Sequence, residues 1–255
     1  MIDVHAHLTS ADFTDDIEDV ITRATDAGVK AVLVAGENYD DNKKVLELCA
    51  VYPLLRPCLG HYPSVQDRTE ALATIDLIRS HRQKIAAISE VGLDFRIAED
   101  SSARDIQIEI FSLFIDLSRE LSLPLVVHSR SAGHHAIELL ASKGAEKVCM
   151  HAFDGKAGYA QIGVQRGYYF SIPPSVVRSP QKIKLVVSLP IERILLETDS
   201  PVLGRSAEER NEPAFLIHAA EEIARLKGIE LSHVLQVTEE NTRRLFGGMD
   251  RLHFC

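Results

Sequence analysis

The sequence is short of several things, and each shortage excludes a class of protein. It has four cysteines in 255 residues. Cys49, Cys58, Cys149 and Cys255 show no C-x-x-C spacing, and three of them sit in apolar stretches, so they read as reduced cysteines and not as a disulfide or zinc framework. Long hydrophobic runs are missing: residues 125–127 and 31–35 fall far short of the roughly 18 needed to cross a bilayer, so no membrane partner is expected. A basic-then-apolar leader is missing too, because Met1 is followed at once by Asp3, His5 and His7. The expectation is an intracellular protein, cytoplasmic or nuclear. Positive charge is scarce, with 28 Lys and Arg against 37 Asp and Glu and a formal net charge of −9. Holding nucleic acid by neutralising many phosphates needs a basic surface, so that mode is excluded. Any polyanionic substrate needs a local source of positive charge.

What is present is globular in character, at 45% apolar and 25% charged. Short β-rich runs at 2–8, 30–35, 54–59, 85–91, 124–129, 147–152, 168–172 and 193–198 carry Val, Ile, Leu, Ala and Cys without clean alternation, as in strands covered on both faces. Between them lie stretches of helical spacing, among them 13–27, 67–82, 103–121, 133–142 and 213–227. Eight β–helix alternations in about 250 residues is the arithmetic of an α/β fold of the (β/α)₈ TIM-barrel type. A doubly wound open sheet would show a Gly-rich turn after its first strand, where this chain has His5-Ala6-His7-Leu8-Thr9-Ser10. No composition shift divides residues 1–255, so a single barrel domain is expected, with a last helix at about 232–246 packed outside it.

In such a barrel the chemistry sits at the carboxyl ends of the strands. There the sequence places His5 and His7 on strand 1, Glu90 on strand 4, His128 on strand 5, His151 on strand 6 and Asp199 just past strand 8. Side chains alternate along a strand, so Asp3, His5 and His7 share one face. A lone histidine ending a buried strand is ordinarily a hydrogen-bonded core residue. Four histidines and two acids at the ends of five strands would be costly to bury without a cation. Six N/O donors are too many for one tetrahedral zinc with an open position, and they suit two divalent ions, Zn²⁺, Mn²⁺ or Mg²⁺, with Glu90 as the shared carboxylate. Two dications against two carboxylates leave net positive charge, a local anion trap of the kind used to displace an oxygen at phosphorus.

At this point the residues carry a family likeness. The chain resembles the TatD-type metal-dependent deoxyribonucleases of the amidohydrolase superfamily. The matching motifs are Asp3-Val4-His5-Ala6-His7, Ser89-Glu90-Val91-Gly92-Leu93-Asp94, His128-Ser129-Arg130, His151-Ala152-Phe153-Asp154-Gly155, Glu197-Thr198-Asp199-Ser200-Pro201 and Arg210-Asn211-Glu212-Pro213. In Ser129-Arg130-Ser131-Ala132-Gly133 and Phe170-Ser171-Ile172-Pro173-Pro174-Ser175 it is similar to an animal subgroup of that family. The resemblance implies a metal-dependent phosphodiesterase acting on DNA, often as a single-strand exonuclease, with no obligate protein partner inferred. It implies that His5, His7 and Asp199 hold one metal and His128 and His151 the other, with Glu90 bridging. Glu90 separates the chain from amidohydrolases that place a carboxylated lysine on strand 4. One departure stands out: where the family reads Gly-x-His-Pro after strand 3, this chain has Gly60-His61-Tyr62-Pro63, so Tyr62, or His61 by a loop shift, takes the substrate-contact position.

Asp199 is the candidate to orient or deprotonate the attacking water while ligating metal, with Glu90 as its catalytic partner. Glu197 and Asp3 are expected to hold imidazole N–H groups. Arg130 follows a ligand closely and suits either a phosphate clamp or a structural ion pair. Asp94 reads either as a turn residue bonding its own loop or as a substrate contact, and Asn211 as a helix cap or a loop-positioning residue. Tyr62, Phe95 and Phe153 are the aromatics that could stack on unpaired bases or serve the core. A dinuclear amidohydrolase acting on a small ester, amide or lactone is the competing function, since the same site can polarise a carbonyl.

Overall fold

A computed structural model of the chain describes residues 1–247; Cys255 lies outside them. Eight parallel strands run in order around one sheet: β1 Ile2–Ala6, β2 Ala31–Ala35, β3 Leu55–Leu59, β4 Ala87–Gly92, β5 Leu125–His128, β6 Val148–Met150, β7 Tyr169–Ile172 and β8 Ile194–Leu196. The helices are α1 Ile17–Asp26, α2 Tyr39–Val51, α3 Arg68–His81, α4 Ser101–Leu121, α5 Gly133–Ser142, α6 Ala157–Gln165, α7 Pro180–Ser188, α8 Leu216–Lys227 and α9 Leu231–Phe246. The barrel is drawn shut past the end of β8, where Asp199 N donates to His5 O at 2.9 Å and His7 N to Ser200 O at 2.8 Å. This is the (β/α)₈ arrangement that the alternation of elements implies. None of the helices among the described residues is long and apolar enough to cross a membrane.

Local chemistry sets the element ends. Asp67 caps α3 by accepting from Thr69 N and Glu70 N, Asp100 caps α4 through Ala103 N, and Asn38 caps α2 through Asp41 N. The spacing-based reading of α5 matches its observed limits. The 13–27 stretch yields α1 at Ile17–Asp26, preceded by a 3₁₀ turn at Ala11–Phe13, and 213–227 divides into a 3₁₀ turn at Pro213–Phe215 and α8. The strands are shorter than the apolar runs suggest. His7, His151 and Asp199 lie beyond the last ladder residues, because the backbone turns out of the sheet there.

Two apolar layers follow. One lies between the strands and the helices, and α4 contributes Phe111, Phe114 and Ile115 to it; burial of each is worth about 2 kcal/mol. The other fills the barrel, with Ile2, Val4, Ala31, Leu33, Cys58, Ala87, Val126, Cys149, Tyr169 and Leu195 drawn from all eight strands. Leu245 and Phe246 at the end of α9 join this inner layer, so the last helix closes the barrel floor beside packing on its wall. Asn241 fixes α9 there by donating to Ile191 O and Ile194 O at 2.9 and 3.0 Å. With the floor closed, the carboxyl ends of the strands form the open end.

Candidate metal centre

The side chains of the candidate centre reach the open end by two routes. In β5, β6 and β8 simple alternation suffices: Val126, Cys149 and Leu195 line the interior, and His128, His151 and Glu197 stand two residues further along the same face. In β1 and β4 alternation alone fails, because Ile2, Val4 and Ala87 are the inward residues. The register of β1 breaks between Asp3 and Ala6 and that of β4 between Ile88 and Val91. Such irregularities re-aim a side chain, and here they turn His5 and Glu90 toward the centre. The Ser89–Glu90 and Ser200–Pro201 peptide bonds are cis. Two glycines permit the close approach: a Cβ on Gly92, at φ +148°, would sit 2.0 Å from His128 O, and one on Gly60 would sit 2.3 Å from Glu90 N.

Glu90 lies between two pairs of histidines, one oxygen to each. Its Oε2 is 3.7 Å from His5 Nε2 and 3.4 Å from His7 Nε2, while its Oε1 is 2.5 Å from His128 Nδ1 and 3.5 Å from His151 Nε2. Asp199 Oδ1 is 3.6 Å from His5 Nε2, 3.6 Å from His7 Nε2 and 3.9 Å from His151 Nε2. Three overlapping donor triads result: His5, His7 and Glu90; His5, His151 and Asp199; Glu90, His128 and His151. Asp199 and Ala152 hold left-handed backbone, at φ 57° and 38°, which is unfavourable by about 1–2 kcal/mol for residues with a side chain. Hydrogen bonds fix both: Asp199 N to His5 O, and Ala152 N to Glu197 Oε1 at 2.9 Å.

On His151, His128 and His5 the nitrogen that faces away from the centre has a partner of its own, whereas His7 Nδ1 is buried without a hydrogen bond, 3.8 Å from Glu37 Oε1. His151 Nδ1 is 2.9 Å from Glu197 Oε2, which also accepts from Ser171 Oγ at 2.6 Å. His128 Nε2 is 3.0 Å from Asp94 Oδ2, and His5 Nδ1 is 3.4 Å from Ser89 Oγ. Partners of this kind fix ring orientation and tautomer. Asp3 does not act this way, contrary to the reading that it holds an imidazole. Its carboxylate accepts from Thr198 N at 2.9 Å, Thr198 Oγ1 at 2.5 Å and His5 N at 3.2 Å. It clasps β1 to the residue before Asp199, and burial pushes its carboxyl up to about 7.

Electrostatically the site demands positive charge. Burial works against the charged form of Glu90, but His128, His5 and His7 outweigh it and hold the carboxyl well below the usual range. Asp199 is lowered in the same way, with burial opposed by His151, His7 and His5. In return, burial opposes a proton on His128, yet Glu90 and Asp94 raise it to about 9, and Asp199 and Glu90 raise His7. His5 is lowered, by burial and then by His151. A divalent cation answers the same demand through coordination.

A cavity of about 650 Å³ opens above this cluster. Tyr62 and Arg130 line it with His7, Glu90, His128, His151 and Asp199. His61 does not, which corrects the loop-shift alternative. It is buried with Nε2 on Val65 O at 2.7 Å and its ring stacked on Phe114, behind β3 and β4. Asp94 is fully buried beneath the cavity, corrected from a substrate contact to a bridge between His128 and the Tyr62 hydroxyl, which donates to it at 3.3 Å; its other oxygen accepts from Arg96 N, as in a turn. Burial, followed by the Glu90 and Asp94 carboxylates, pushes the Tyr62 hydroxyl up, so it stays protonated. Phe153 packs in the core against Phe170, and Phe95 lies between His135 and Arg104, so neither faces the cavity. Asn211 positions the loop after β8, donating to Thr198 O at 2.6 Å and Val202 O at 2.8 Å. Three ionisable lining residues were not singled out from the sequence: Glu37, Asp41 and Lys182. Their one available signal was position: Glu37 and Asp41 follow β2 within six residues, and Lys182 lies in the first turn of the helix that follows β7.

Comparison with known proteins gives the family. Residues 2–247 match a family described as TatD related DNase. The chain is 42% identical to human Deoxyribonuclease TATDN3 over 258 residues, 96% of this chain and 94% of that one. It is 31% identical over 260 residues, 97% and 99% of the two chains, to the 3'-5' ssDNA/RNA exonuclease TatD of Escherichia fergusonii. Among solved structures, a TatD-family hydrolase from Entamoeba histolytica superposes with a TM-score of 0.88 at 21% identity, covering 97% of this chain and 98% of the other.

Proposed function

Because the chain belongs to the TatD family of DNases, we propose that it is a metal-dependent phosphodiesterase that hydrolyses DNA, single strands first, from an end. The observation that carries this reading is the placement of Glu90 between two histidine pairs, with Oε2 toward His5 and His7 and Oε1 toward His128 and His151. A bridging carboxylate with nitrogen donors on both sides fits a pair of divalent ions, Mg²⁺, Mn²⁺ or Zn²⁺. His5, His7 and Asp199 would hold one and His128 and His151 the other, with Glu90 shared. Bound there, the ions supply Lewis acidity to a phosphoryl oxygen and make water a better nucleophile at neutral pH.

The chain's own residues do the rest. Asp199 Oδ1, facing three imidazoles, is the acceptor that orients the attacking water and takes its proton. Glu90 holds the two halves of the centre in register. Arg130, exposed on the rim, takes a phosphate oxygen, and Tyr62 offers a face on which a base can stack. The whole operates as one barrel unit. Free, buried Cys49, Cys58 and Cys149 suit a reducing compartment, cytoplasmic or nuclear.

Metal-loaded protein assayed on an end-labelled single-stranded oligonucleotide and on generic carboxyl esters tests the reading. Oligonucleotide shortening that is abolished by chelation and by Glu90→Gln is expected. Robust ester turnover with no oligonucleotide cleavage under Mg²⁺, Mn²⁺ or Zn²⁺ would make the chain a small-molecule amidohydrolase instead.

A further inference from the structure

The cavity wall on the β7 side carries a cation that the donor cluster does not use. Lys182, in the first turn of α7, lines the cavity beside His151, Ala152, Asp154 and Asp199. Its ammonium donates to Ala152 O at 3.0 Å, and no carboxylate of the described residues lies within 4.0 Å of it. The nearby Asp154 is engaged elsewhere, with Oδ1 accepting from Gln181 Nε2 at 2.9 Å and Oδ2 from Ser131 N at 2.8 Å. An ammonium has three donors, and an unpaired cation in a desolvated wall is costly. Burial does lower Lys182, with Glu197 and Asp199 acting from further off to keep it charged.

The position is built rather than incidental. Ser179 Oγ accepts from Lys182 N at 3.3 Å and Pro180 opens the helix, so the residue's backbone is fixed before any ligand arrives. The positive end of α7 adds to the ammonium's field. Across the cavity stand Glu37 and Asp41. Arg130 and Lys182 therefore put the lining's cations on the β5 to β7 side, where Asp154 has both oxygens engaged, and the Glu37 and Asp41 carboxylates lie on the β2 side.

We infer that Lys182 is a phosphate-binding residue of the substrate site: its ammonium takes a non-bridging oxygen of the phosphodiester held at the centre, so the strand's phosphates follow the Arg130–Lys182 wall and avoid Glu37 and Asp41. This rests on the nuclease reading and assigns it a second, metal-independent source of positive charge.

The test uses the metal-loaded full chain, a fluorescent phosphorothioate oligonucleotide that resists cleavage, inorganic phosphate as competitor, and the variants Lys182→Gln and Lys182→Arg. Gln can still donate to Ala152 O but carries no charge. A charge-assisted hydrogen bond is roughly twice as strong as a neutral one, so K182Q is expected to weaken oligonucleotide and phosphate binding by roughly tenfold or more, about 1.4 kcal/mol per tenfold. The slope of log K against log salt should fall by about 0.7 for the one lost phosphate contact. K182R should stay within about threefold of wild type, since it keeps the charge, and metal content should be equal in all three proteins. Binding and slope in K182Q equal to wild type would overturn the assignment, as would loss of metal from K182Q, which would make the residue a support of the centre. If the wild-type chain neither binds nor cuts the oligonucleotide, the nuclease reading falls by itself. Phosphate binding then judges Lys182 separately: weaker binding in K182Q keeps the assignment and equal binding removes it.

Discussion

A histidine that coordinates through one ring nitrogen depends on whatever holds the other. Asp94 holds His128 Nε2 at 3.0 Å, from a position where it is also tied to Tyr62 and to the turn after β4. Asp94→Ala leaves the six donors intact but frees the His128 ring. Loss of such a partner typically costs 10–100-fold in metal affinity or activity. We expect D94A to bind divalent metal about 10–100-fold more weakly, read by metal titration, with much of its turnover recovered at saturating metal. Unchanged metal affinity would return Asp94 to the role of a turn residue. The donors themselves were legible in the sequence because imidazoles and carboxylates at buried strand ends are chemically unusual. Asp94 was not, since an aspartate in a Gly-Leu-Asp turn is common whatever its carboxylate touches, and a lysine such as Lys182 in the first turn of a helix reads as a solvated face.

Between elements, the loop that follows β8 is anchored by charge. Asp16, just before α1, accepts from both terminal nitrogens of Arg210 at 2.8 and 2.6 Å, and Arg23 of α1 grips Glu212 at 2.8 and 2.6 Å. The side chain of Arg210, then that of Arg23, lowers the Asp16 carboxyl from 3.8 to about 2. A carboxyl lowered in the folded state stabilises the fold above its unfolded value of 3.8 and loses that contribution as pH falls through about 2. Asp16→Asn is therefore expected to melt below wild type near neutral pH, by a small margin because the pair is screened by solvent. The gap between the two melting curves should narrow from about pH 4 downward and close only below about pH 2; a gap that stays undiminished below pH 2 would place the effect in packing. Element type was readable from spacing, as α5 shows, but the register breaks in β1 and β4 were not. Nothing in Asp3-Val4-His5 or Ser89-Glu90-Val91 marks an irregular ladder, because it arises from how neighbouring strands meet around a closed barrel, with Gly60 and Gly92 admitting the close approach.

Across the whole molecule, a net charge of −9 and a substrate rich in phosphates are reconciled only if binding is local. The surface repels a polyanion at long range, and that repulsion is screened beyond about 10 Å at 0.1 M salt. On the proposed function, attraction is confined to one cavity, which Arg130 and Lys182 line together with the histidine and carboxylate cluster. Each phosphate neutralised on a single strand contributes about −0.7 to the slope of log K against log salt. Two or three phosphates at the cavity thus predict a slope of about −1.4 to −2 for the metal-loaded chain on a non-cleavable single strand. Lengthening the oligonucleotide beyond a few nucleotides should leave both affinity and slope nearly unchanged, since an excess of 37 Asp and Glu over 28 Lys and Arg gives a strand no net attraction away from the cavity. A slope near −5 or steeper, growing with oligonucleotide length, would mean about seven or more phosphates held along the surface. That outcome would replace capture at one centre with tracking along the strand, and the acidic exterior would then need a basic partner to explain it.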